Sequence, residues 1–390
     1  MERVKRILLL VLIILIGKIQ AQELPLGEGA TATVLTCGPG NDFYTTFGHS
    51  ALRIIDTSQG IDWVYNYGTF DFNTPHFYWK FTRGKLNYRL SREPYSLFQS
   101  VYEYERRAVW EQRLNLTPQE VNNLYVALEW NFLPENRYYQ YDFFRDNCAT
   151  RVRDMVEAAP AHRIVDCYDW ESEGKCSYRD LLQSCLNETL EWWRLGIDLI
   201  LGLPADHRCT TEESMFLPIM MQQHYETADL FNLNDLTGKR LTDGSRQLLT
   251  DTREPLRRSF PPIVIFALIF TAIAVLTWRR LWPRWADTIL FILAGIIGLF
   301  LLFMWFGTDH WVTKWNLNIL WASPLLILIA IRHKKSPSWA LWLQEGCFVA
   351  AAAYVIICGL TPALIPIILT LAMRVAYLIP RKPQPQRRQR

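Results

Sequence analysis

The sequence has little net charge and no closely paired cysteines, and each absence removes a class of function. Its 390 residues carry a net charge of only +3, so no strongly basic surface points to nucleic acid as a partner. None of the eight cysteines forms a C-x-x-C pair, which argues against a structural zinc site, and we predict no metal or other cofactor. Tryptophan, in contrast, is abundant at 16 residues, which is typical of proteins that meet a membrane interface.

The chain begins with a segment that resembles a secretory leader. Residues 1–6 are basic, residues 7–17 are apolar, and Ala21 follows at a position suited to signal-peptide cleavage. An uncleaved segment would anchor the chain with its basic end in the cytoplasm. We therefore predict a signal peptide or N-terminal anchor at 1–22, and export of the following chain in either case.

Hydropathy divides the rest of the chain. Residues 23–235 have the mixed composition of a folded exported domain with a helical extension, and 236–260 form a charged, helix-capable connector. The part from 261 to 390 predicts a membrane domain of about five helices with a basic cytoplasmic tail. The predicted spans are 263–278, 285–306, 317–331, 339–358 and 360–379.

Basic residues predict the orientation of these spans. They lie between spans one and two, between spans three and four, and in the tail from 381 to 390, whereas the other loops hold few. These segments are therefore expected in the cytoplasm. We predict a multi-pass protein of the bacterial inner membrane with residues 23–235 in the periplasm.

Four cysteines cluster in the second half of the predicted exported domain. An oxidising periplasm would allow one or two disulfides among them, although their spacing does not determine the pairing. They are Cys167, Cys176, Cys185 and Cys209.

Cys148 stands out because it lies in the first turn of a predicted helix. Asp146 and Asn147 precede it and are both good N-cap residues, apolar residues recur at helical spacing after it, and Pro160 marks the end. The free N–H groups and partial positive charge of a helix start favour a thiolate. We therefore predict that Cys148 is a nucleophile, although a buried structural cysteine is the ordinary alternative.

A thiolate nucleophile needs a base, and a predicted hairpin provides a candidate. His49 opens a strand that ends near Asp56, and a returning strand at 62–67 brings Asn66 beside it. A third polar group would orient the imidazole, and either Asn66 or Asp71 can take that place. We predict Cys148, His49 and Asn66 as the catalytic set, with Asp71 as the rival third member.

Four ordered motifs resemble a known family, the Bacteroidota lipoprotein N-acyltransferases known as Lnb. The motifs are Leu-Thr-Cys-Gly-Pro-Gly at 35–40, Phe-Gly-His-Ser-Ala-Leu-Arg at 47–53, Tyr-Asn-Tyr-Gly-Thr-Phe-Asp at 65–71 and Asn-Cys-Ala-Thr-Arg at 147–151 followed by Asp154. The resemblance implies an α+β fold, namely a circularly permuted papain-like (NlpC/P60-type) thiol domain followed by an α-helical transmembrane bundle. It also implies that His49 is the base and Cys148 the residue that accepts the acyl group.

The reaction implied by this resemblance joins two lipid substrates. An acyl chain passes from a phospholipid, through a thioester at Cys148, to the N-terminal amine of a diacylglyceryl-cysteine lipoprotein. The expected partners are therefore a phospholipid donor, a diacylated lipoprotein acceptor and the membrane. Two other functions stay open: a membrane-anchored cysteine peptidase or amidase of the cell wall, and a non-enzymatic membrane scaffold in which Cys148 is structural.

Three further residues are candidates for substrate binding. Arg151 lies close enough to Cys148 in sequence to bind a phosphate, and Asp309 and His310 lie in the loop between spans two and three, on the predicted side of the exported domain. That loop could bind a headgroup or complete the site, or it could be an ordinary polar connection.

Overall fold

A computed structural model describes residues 26–160, 163–166, 174–186, 188–232, 238–254 and 256–380. Within these ranges an α+β domain is followed by a helical region. The predicted leader at 1–22, Cys167 and the basic tail lie outside the described residues.

The strands of the described chain form two antiparallel sheets. In chain order they are β1 Thr31–Cys37, β2 His49–Asp56, β3 Ile61–Thr69, β4 Asn87–Pro94, β5 Val109–Leu114, β6 Tyr138–Gln140, β7 Arg163–Asp166, β8 Asp229–Asn232, β9 Gly238–Arg240 and β10 Thr242–Leu249. Seven of them form the large sheet, in the order β10-β5-β1-β2-β3-β4-β6, and the three short strands β7-β8-β9 form the second sheet.

The α-helices pack on both faces of the large sheet and then build the membrane domain. In chain order they are α1 Phe77–Thr82, α2 Tyr95–Tyr104, α3 Pro118–Phe132, α4 Cys148–Ala158, α5 Tyr178–Ser184, α6 Glu191–Ile200, α7 Thr211–Ser214, α8 Pro218–Thr227, α9 Pro262–Trp278, α10 Arg284–Phe306, α11 Leu325–Arg332, α12 Ser338–Ile357 and α13 Leu364–Ala376.

Because successive side chains of a strand point to opposite faces, the large sheet contributes to two hydrophobic cores. On one face Val34, Leu52 and Tyr65 pack with α3, α4 and α8. On the other face Leu35 and Val64 pack against α2. The sheet is thus buried on both sides, and α4 holds its N-terminus against β2 and β3.

Side-chain caps explain where two of the central helices begin. Thr117, Pro118 and Glu120 predict a capping box from the sequence, and it is confirmed before α3: Thr117 accepts from the backbone N–H of Glu120, and the Glu120 carboxylate accepts from the Thr117 N–H. Asn147 caps α4 in the same reciprocal way with Thr150. Local hydrogen bonds therefore fix the first residue of α4, which is Cys148.

Some predicted elements differ from the structure where distant parts of the chain meet. The sequence pattern predicts one helix over 181–201 and another over 211–231. In the structure the first is interrupted between α5 and α6, and the second stretch forms α7, α8 and strand β8. The helix-capable interpretation of 239–259 is wrong, because β9 and β10 lie there and β10 pairs with β5 at the edge of the large sheet. The stretch treated as a connector thus contributes to the exported fold.

The membrane domain contains three stretches that are long and apolar enough to cross a bilayer among the described residues: Arg284–Phe306, Trp311–Lys335 and Ser338–Ile357. Helices α9 and α13, at the predicted first and fifth spans, are apolar but shorter. The third span is broken, because short 3₁₀ turns at Trp311–Thr313 and Leu317–Leu320 precede α11.

The broken third span is stabilised by contacts with α6 of the exported domain. The Asn316 side-chain N–H donates to the Leu199 carbonyl at 2.8 Å, and that of Asn318 donates to the Asp198 carbonyl at 2.9 Å. These bonds satisfy carbonyls at the C-terminal end of α6. Irregular backbone at membrane depth is tolerated where it is buried in protein, and both asparagines are buried.

Arg179 is the centre of the contact between the two domains. It is fully buried, and its guanidinium pairs with Asp198 at 3.2 Å and Asp206 at 2.6 Å. It also donates to the Tyr354 hydroxyl of α12 at 3.2 Å, while Asp198 accepts from the Thr361 N–H at 2.8 Å. The exported domain is therefore docked on the membrane helices through a buried ionic network.

Arg179→Met is expected to lower the free energy of unfolding by about 3 kcal/mol, because it removes the buried counter-ion of the Asp198 carboxylate and leaves only the partly exposed Arg194 at 3.8 Å. Denaturant unfolding of the full chain in detergent measures this. Arg208→Ala, which breaks an exposed pair with Asp180, is the matched control and should cost at most about 1 kcal/mol. Equal effects of the two variants would contradict a structural role for the network.

Candidate active site

Cys148 occupies the first helical position of α4, where its cap holds it rigidly. The Asn147 amide oxygen accepts from the backbone N–H groups of Ala149 and Thr150, both at 2.9 Å. The Asn147 amide N–H groups donate to the carbonyls of Phe143 and Phe216 at 2.8 and 2.7 Å. Because Asn147 is buried and makes four such bonds, the backbone that carries Cys148 has little freedom.

The Cys148 thiol is buried, and burial has the largest effect on its pKa. Burial raises the pKa of Cys148, while hydrogen bonds from the backbone N–H groups of Ser50, Ala149 and Cys148 itself lower it by less. The helix-start N–H groups thus favour the thiolate in the predicted direction, but burial opposes them by more, so the pKa of Cys148 lies above its ordinary value. A base must remove the proton when the thiol reacts.

His49 is oriented by Asn66, which lies beside it on the neighbouring strand. The His49 Nε2 is 3.1 Å from the Asn66 amide oxygen. The Asn66 amide N–H in turn donates to Glu93 at 2.9 Å, so the amide oxygen must face the ring. Nε2 therefore carries the proton, and Nδ1 is left with a lone pair that can accept one.

The same surroundings keep His49 neutral. Burial lowers the pKa of His49 from 6.5 to about 4, and the hydrogen bond to Asn66 opposes this only in part. At neutral pH the pair is thus a thiol and a neutral imidazole, which is the protonation state that general-base catalysis requires.

The structure separates the two candidates for the third catalytic residue. Asn66 is buried and hydrogen bonded to His49. Asp71 is exposed and accepts from the Asn73 backbone N–H at 2.8 Å within a turn. The contact that hairpin counting predicts is therefore made by Asn66.

Two glycines with positive φ bring the histidine strand and the cysteine helix together. Gly48, at φ 82°, directly precedes His49. Gly68, at φ 84°, lies where a Cβ atom would come within 3.5 Å of the Cys148 Cβ. The Cys148 sulfur accepts from the N–H of Ser50, next to His49, and no hydrogen bond joins Cys148 to His49 directly within the described residues.

Gly68→Ala is expected to slow reaction at Cys148 by about ten-fold or more, because alanine is strained at φ 84° and a backbone shift that relieves the strain is passed to Cys148, whose Cβ is in van der Waals contact. The rate of Cys148 modification by an acyl donor measures this. Gly60→Ala is the matched control, since Gly60 has φ 68° with open space around it. Equal losses in both variants would show that backbone strain alone is responsible.

Cys148, His49 and Asn66 line one large cavity with part of the membrane domain. Its volume is about 1170 Å³. Phe300 and Met304 of α10 form one part of the wall, and Trp192 and Ile197 of α6 form another. The lining is thus mostly aromatic and aliphatic, with polar and charged side chains among it, and it includes residues of the membrane domain.

The three predicted substrate-binding residues are engaged in protein contacts. Arg151 forms an ion pair with Asp146, stacks over the Tyr139 ring at 4.1 Å, and is not among the described residues that line the cavity. His310 does line it, and its Nε2 is 3.1 Å from the Phe81 carbonyl. Asp309 is 3.8 Å from Lys85 in an exposed pair. The loop carrying these two residues therefore docks on the segment after α1.

The described cysteines of the second half carry free thiols, and the predicted disulfides stay a prediction. Cys209 and Cys176 are adjacent, with the Cys209 N–H donating to the Cys176 carbonyl at 2.9 Å, whereas Cys185 is partly buried elsewhere. Their fourth candidate, Cys167, lies outside the described ranges. Among the residues that the structure describes, no group of His, Cys, Asp and Glu has the arrangement of a metal site.

Sequence reasoning missed Glu93, which holds the Asn66 amide in place and lines the cavity. A signal for it exists in the strand pattern. Glu93 lies opposite Val64 in the pairing of β3 with β4, so it is a diagonal neighbour of Asn66 on the same face. Extending the hairpin count by one strand would have found it.

The fold and the site define a membrane protein whose α+β domain presents a buried cysteine and a partly buried histidine to a cavity shared with its own membrane helices. The family model described as the Lnb N-terminal periplasmic domain matches residues 27–174, and the one described as the Lnb transmembrane domain matches 254–382. Together the two models cover more than half of the chain. The chain therefore belongs to the Lnb family. No curated protein or solved structure matches the chain.

Membership of this family defines the protein at a coarse level. It is a membrane protein with a periplasmic domain and a role in lipoprotein biogenesis, and this is consistent with an enzyme of lipoprotein maturation.

Proposed function

We propose that this protein is a lipoprotein N-acyltransferase of the inner membrane, which moves an acyl chain from a phospholipid to the N-terminal amine of a diacylglyceryl-cysteine lipoprotein. The observation that carries the proposal is the shared cavity, because Cys148 and His49 line it together with Phe300 and Met304 of α10. A nucleophile in a cavity that is partly lined by membrane helices is suited to a phospholipid, whose acyl chains stay in the bilayer.

The first half-reaction acylates Cys148. Nδ1 of His49 takes the thiol proton as the sulfur attacks the ester carbonyl of the phospholipid, and Asn66 holds the ring through Nε2. The backbone N–H of Cys148 at the helix start stabilises the oxyanion. The ester C–O bond then breaks, and the departing lysophospholipid oxygen receives the proton from His49.

The second half-reaction transfers the acyl group to the acceptor. The neutral amine of the lipoprotein attacks the thioester carbonyl, and His49 takes a proton from the attacking nitrogen. As the C–S bond breaks, this proton passes to the Cys148 sulfur, which restores the thiol and leaves an amide on the lipoprotein. Both half-reactions use one site, so the kinetics should be ping-pong.

The energetics of lipid transfer support a docked catalytic domain. Each methylene withdrawn from the bilayer costs about 0.8 kcal/mol, so a phospholipid does not leave the membrane to reach a distant site. The buried contacts of Arg179 and Asn318 hold the exported domain against the membrane helices. The apolar part of the cavity can then accommodate the chain of the thioester.

The chain order also supports a circularly permuted papain-like (NlpC/P60-type) arrangement for the periplasmic domain. The strand with His49 precedes the helix with Cys148, and the two meet beside an antiparallel sheet. An asparagine that orients the histidine, as Asn66 does, belongs to the same kind of thiol site.

A transfer assay tests the proposal. The full protein in detergent is incubated with phospholipid bearing a labelled acyl chain and with a diacylated lipopeptide. We expect the label on the lipopeptide amine in a form resistant to hydroxylamine. Absence of this product from folded protein would overturn the proposal, and release of peptide fragments from cell-wall material would identify a wall hydrolase instead.

A further inference from the structure

Four charged residues line the cavity, and three of them are neutralised by a partner. Arg92 pairs with Glu129 at 2.6 Å, and Arg107 pairs with Glu105 at 2.8 Å. Glu93 forms no ion pair among the described residues, and its hydrogen bond is the one from the Asn66 amide. The cavity therefore contains a half-buried carboxylate with no cation beside it, which is costly in a largely apolar space.

Glu93 lies at the end of a row that begins at the base. His49 on β2, Asn66 on β3 and Glu93 on β4 follow one another across three neighbouring strands, joined by contacts of 3.1 and 2.9 Å. One carboxylate oxygen of Glu93 accepts from Asn66, and its other oxygen has no hydrogen bond within the described residues. A ligand in the cavity can therefore reach this oxygen beside the catalytic residues.

We propose that Glu93 binds the primary ammonium group of the acceptor, the lipoprotein N-terminus, and holds it next to the thioester at Cys148. The proposal rests on the acyltransferase function. A cation at this position compensates the unpaired carboxylate and gains a charge-assisted hydrogen bond. The ammonium must lose one proton before it attacks, and the Glu93 carboxylate can accept it and release it to water after the amide forms.

A phospholipid with an ethanolamine headgroup also carries a primary ammonium, so the test must separate donor from acceptor. Thioester formation on the full protein is measured with phosphatidylethanolamine and with phosphatidylglycerol. The acyl-enzyme is then isolated and discharged with a diacylated lipopeptide or with hydroxylamine, a small nucleophile that is uncharged at neutral pH. The proteins compared are wild type, Glu93→Gln and the control Glu103→Gln, an exposed carboxylate of α2 outside the cavity lining.

Glu93→Gln keeps an oxygen for Asn66 but removes the charge. We expect discharge to the lipopeptide to fall by about ten- to hundred-fold at low acceptor concentration, while thioester formation and discharge to hydroxylamine both fall by only about two-fold, because the amide oxygen accepts a weaker hydrogen bond from Asn66. Glu103→Gln should behave as wild type throughout.

Three results would overturn the assignment. Unchanged discharge to the lipopeptide would show that Glu93 does not bind the ammonium. Equal slowing with lipopeptide and hydroxylamine would show that it only positions Asn66. A defect confined to thioester formation from phosphatidylethanolamine would assign it to the donor headgroup. Failure of the wild type to form any thioester is a different result and would overturn the acyltransferase itself.

Discussion

Cys148→Ala is expected to abolish the hydroxylamine-sensitive adduct that labelled phospholipid forms with the protein, and to reduce acyl transfer by about 10⁴-fold or more. The reason is chemical, because the alanine side chain has no atom that can carry the acyl group. Cys148→Ser should also fail under the same conditions, since an alcohol is a much weaker nucleophile than a thiol. Gel analysis of the label, with and without hydroxylamine, measures both variants.

Cys37→Ala provides the matched control for this result. Cys37 is also buried and lies directly opposite His49 in the pairing of β1 with β2, but it does not line the cavity. Burial raises the pKa of Cys37 to about 12, which leaves its thiol unreactive. The control should keep the adduct, and an adduct that survives in Cys148→Ala would contradict the role assigned to Cys148.

His49→Gln is expected to slow thioester formation by about 10²–10⁴-fold, because the proposed mechanism assigns removal of the Cys148 thiol proton to His49. Single-turnover kinetics measure the rate. His224→Gln is the matched control, since His224 is a buried histidine that contacts Ser214 at 3.0 Å and lies outside the cavity lining. A similar loss in both variants would point to general destabilisation instead of base catalysis.

The low pKa of His49 makes two further effects measurable in the same variants. Because burial lowers the pKa of His49 to about 4, thioester formation should persist down to about pH 4 instead of declining near 6.5.

The same pKa shift makes the free energy of unfolding depend on pH. Between pH 6.5 and about pH 4, His49 is protonated in the unfolded chain but not in the folded protein, so stability rises with pH across this window. The loss on acidification should total about 3 kcal/mol and should be absent from His49→Gln.

The parts of the fold that could be predicted are those encoded locally. The hairpin of β2 and β3 follows from alternation and a turn, and α3 and α4 follow from their cap residues and apolar spacing. The contact of His49 with Asn66 depends on strand register alone, which a short hairpin fixes. The Lnb resemblance likewise rested on short motifs, and the family models support it.

The parts that could not be predicted depend on distant segments of the chain. β10 is a polar edge strand that pairs with β5 far away in sequence, so no hydrophobic alternation marked it. The third span is broken because Asn316 and Asn318 bind carbonyls of α6, a contact that hydropathy does not report. The raised pKa of Cys148 could not be predicted for the same reason, since its burial is produced by the tertiary fold and outweighs the N–H groups of the helix start.

Peptide mapping of the acyl-enzyme tests the central claim most directly. Wild-type protein is incubated with phospholipid in the absence of acceptor, digested under mildly acidic conditions and examined by mass spectrometry, before and after a chase with diacylated lipopeptide. We expect one acyl chain in thioester linkage on the peptide that contains Cys148, and its disappearance as the N-acylated lipopeptide forms. An acyl chain on another residue, or N-acylated product formed without acyl transfer through Cys148, would contradict the account.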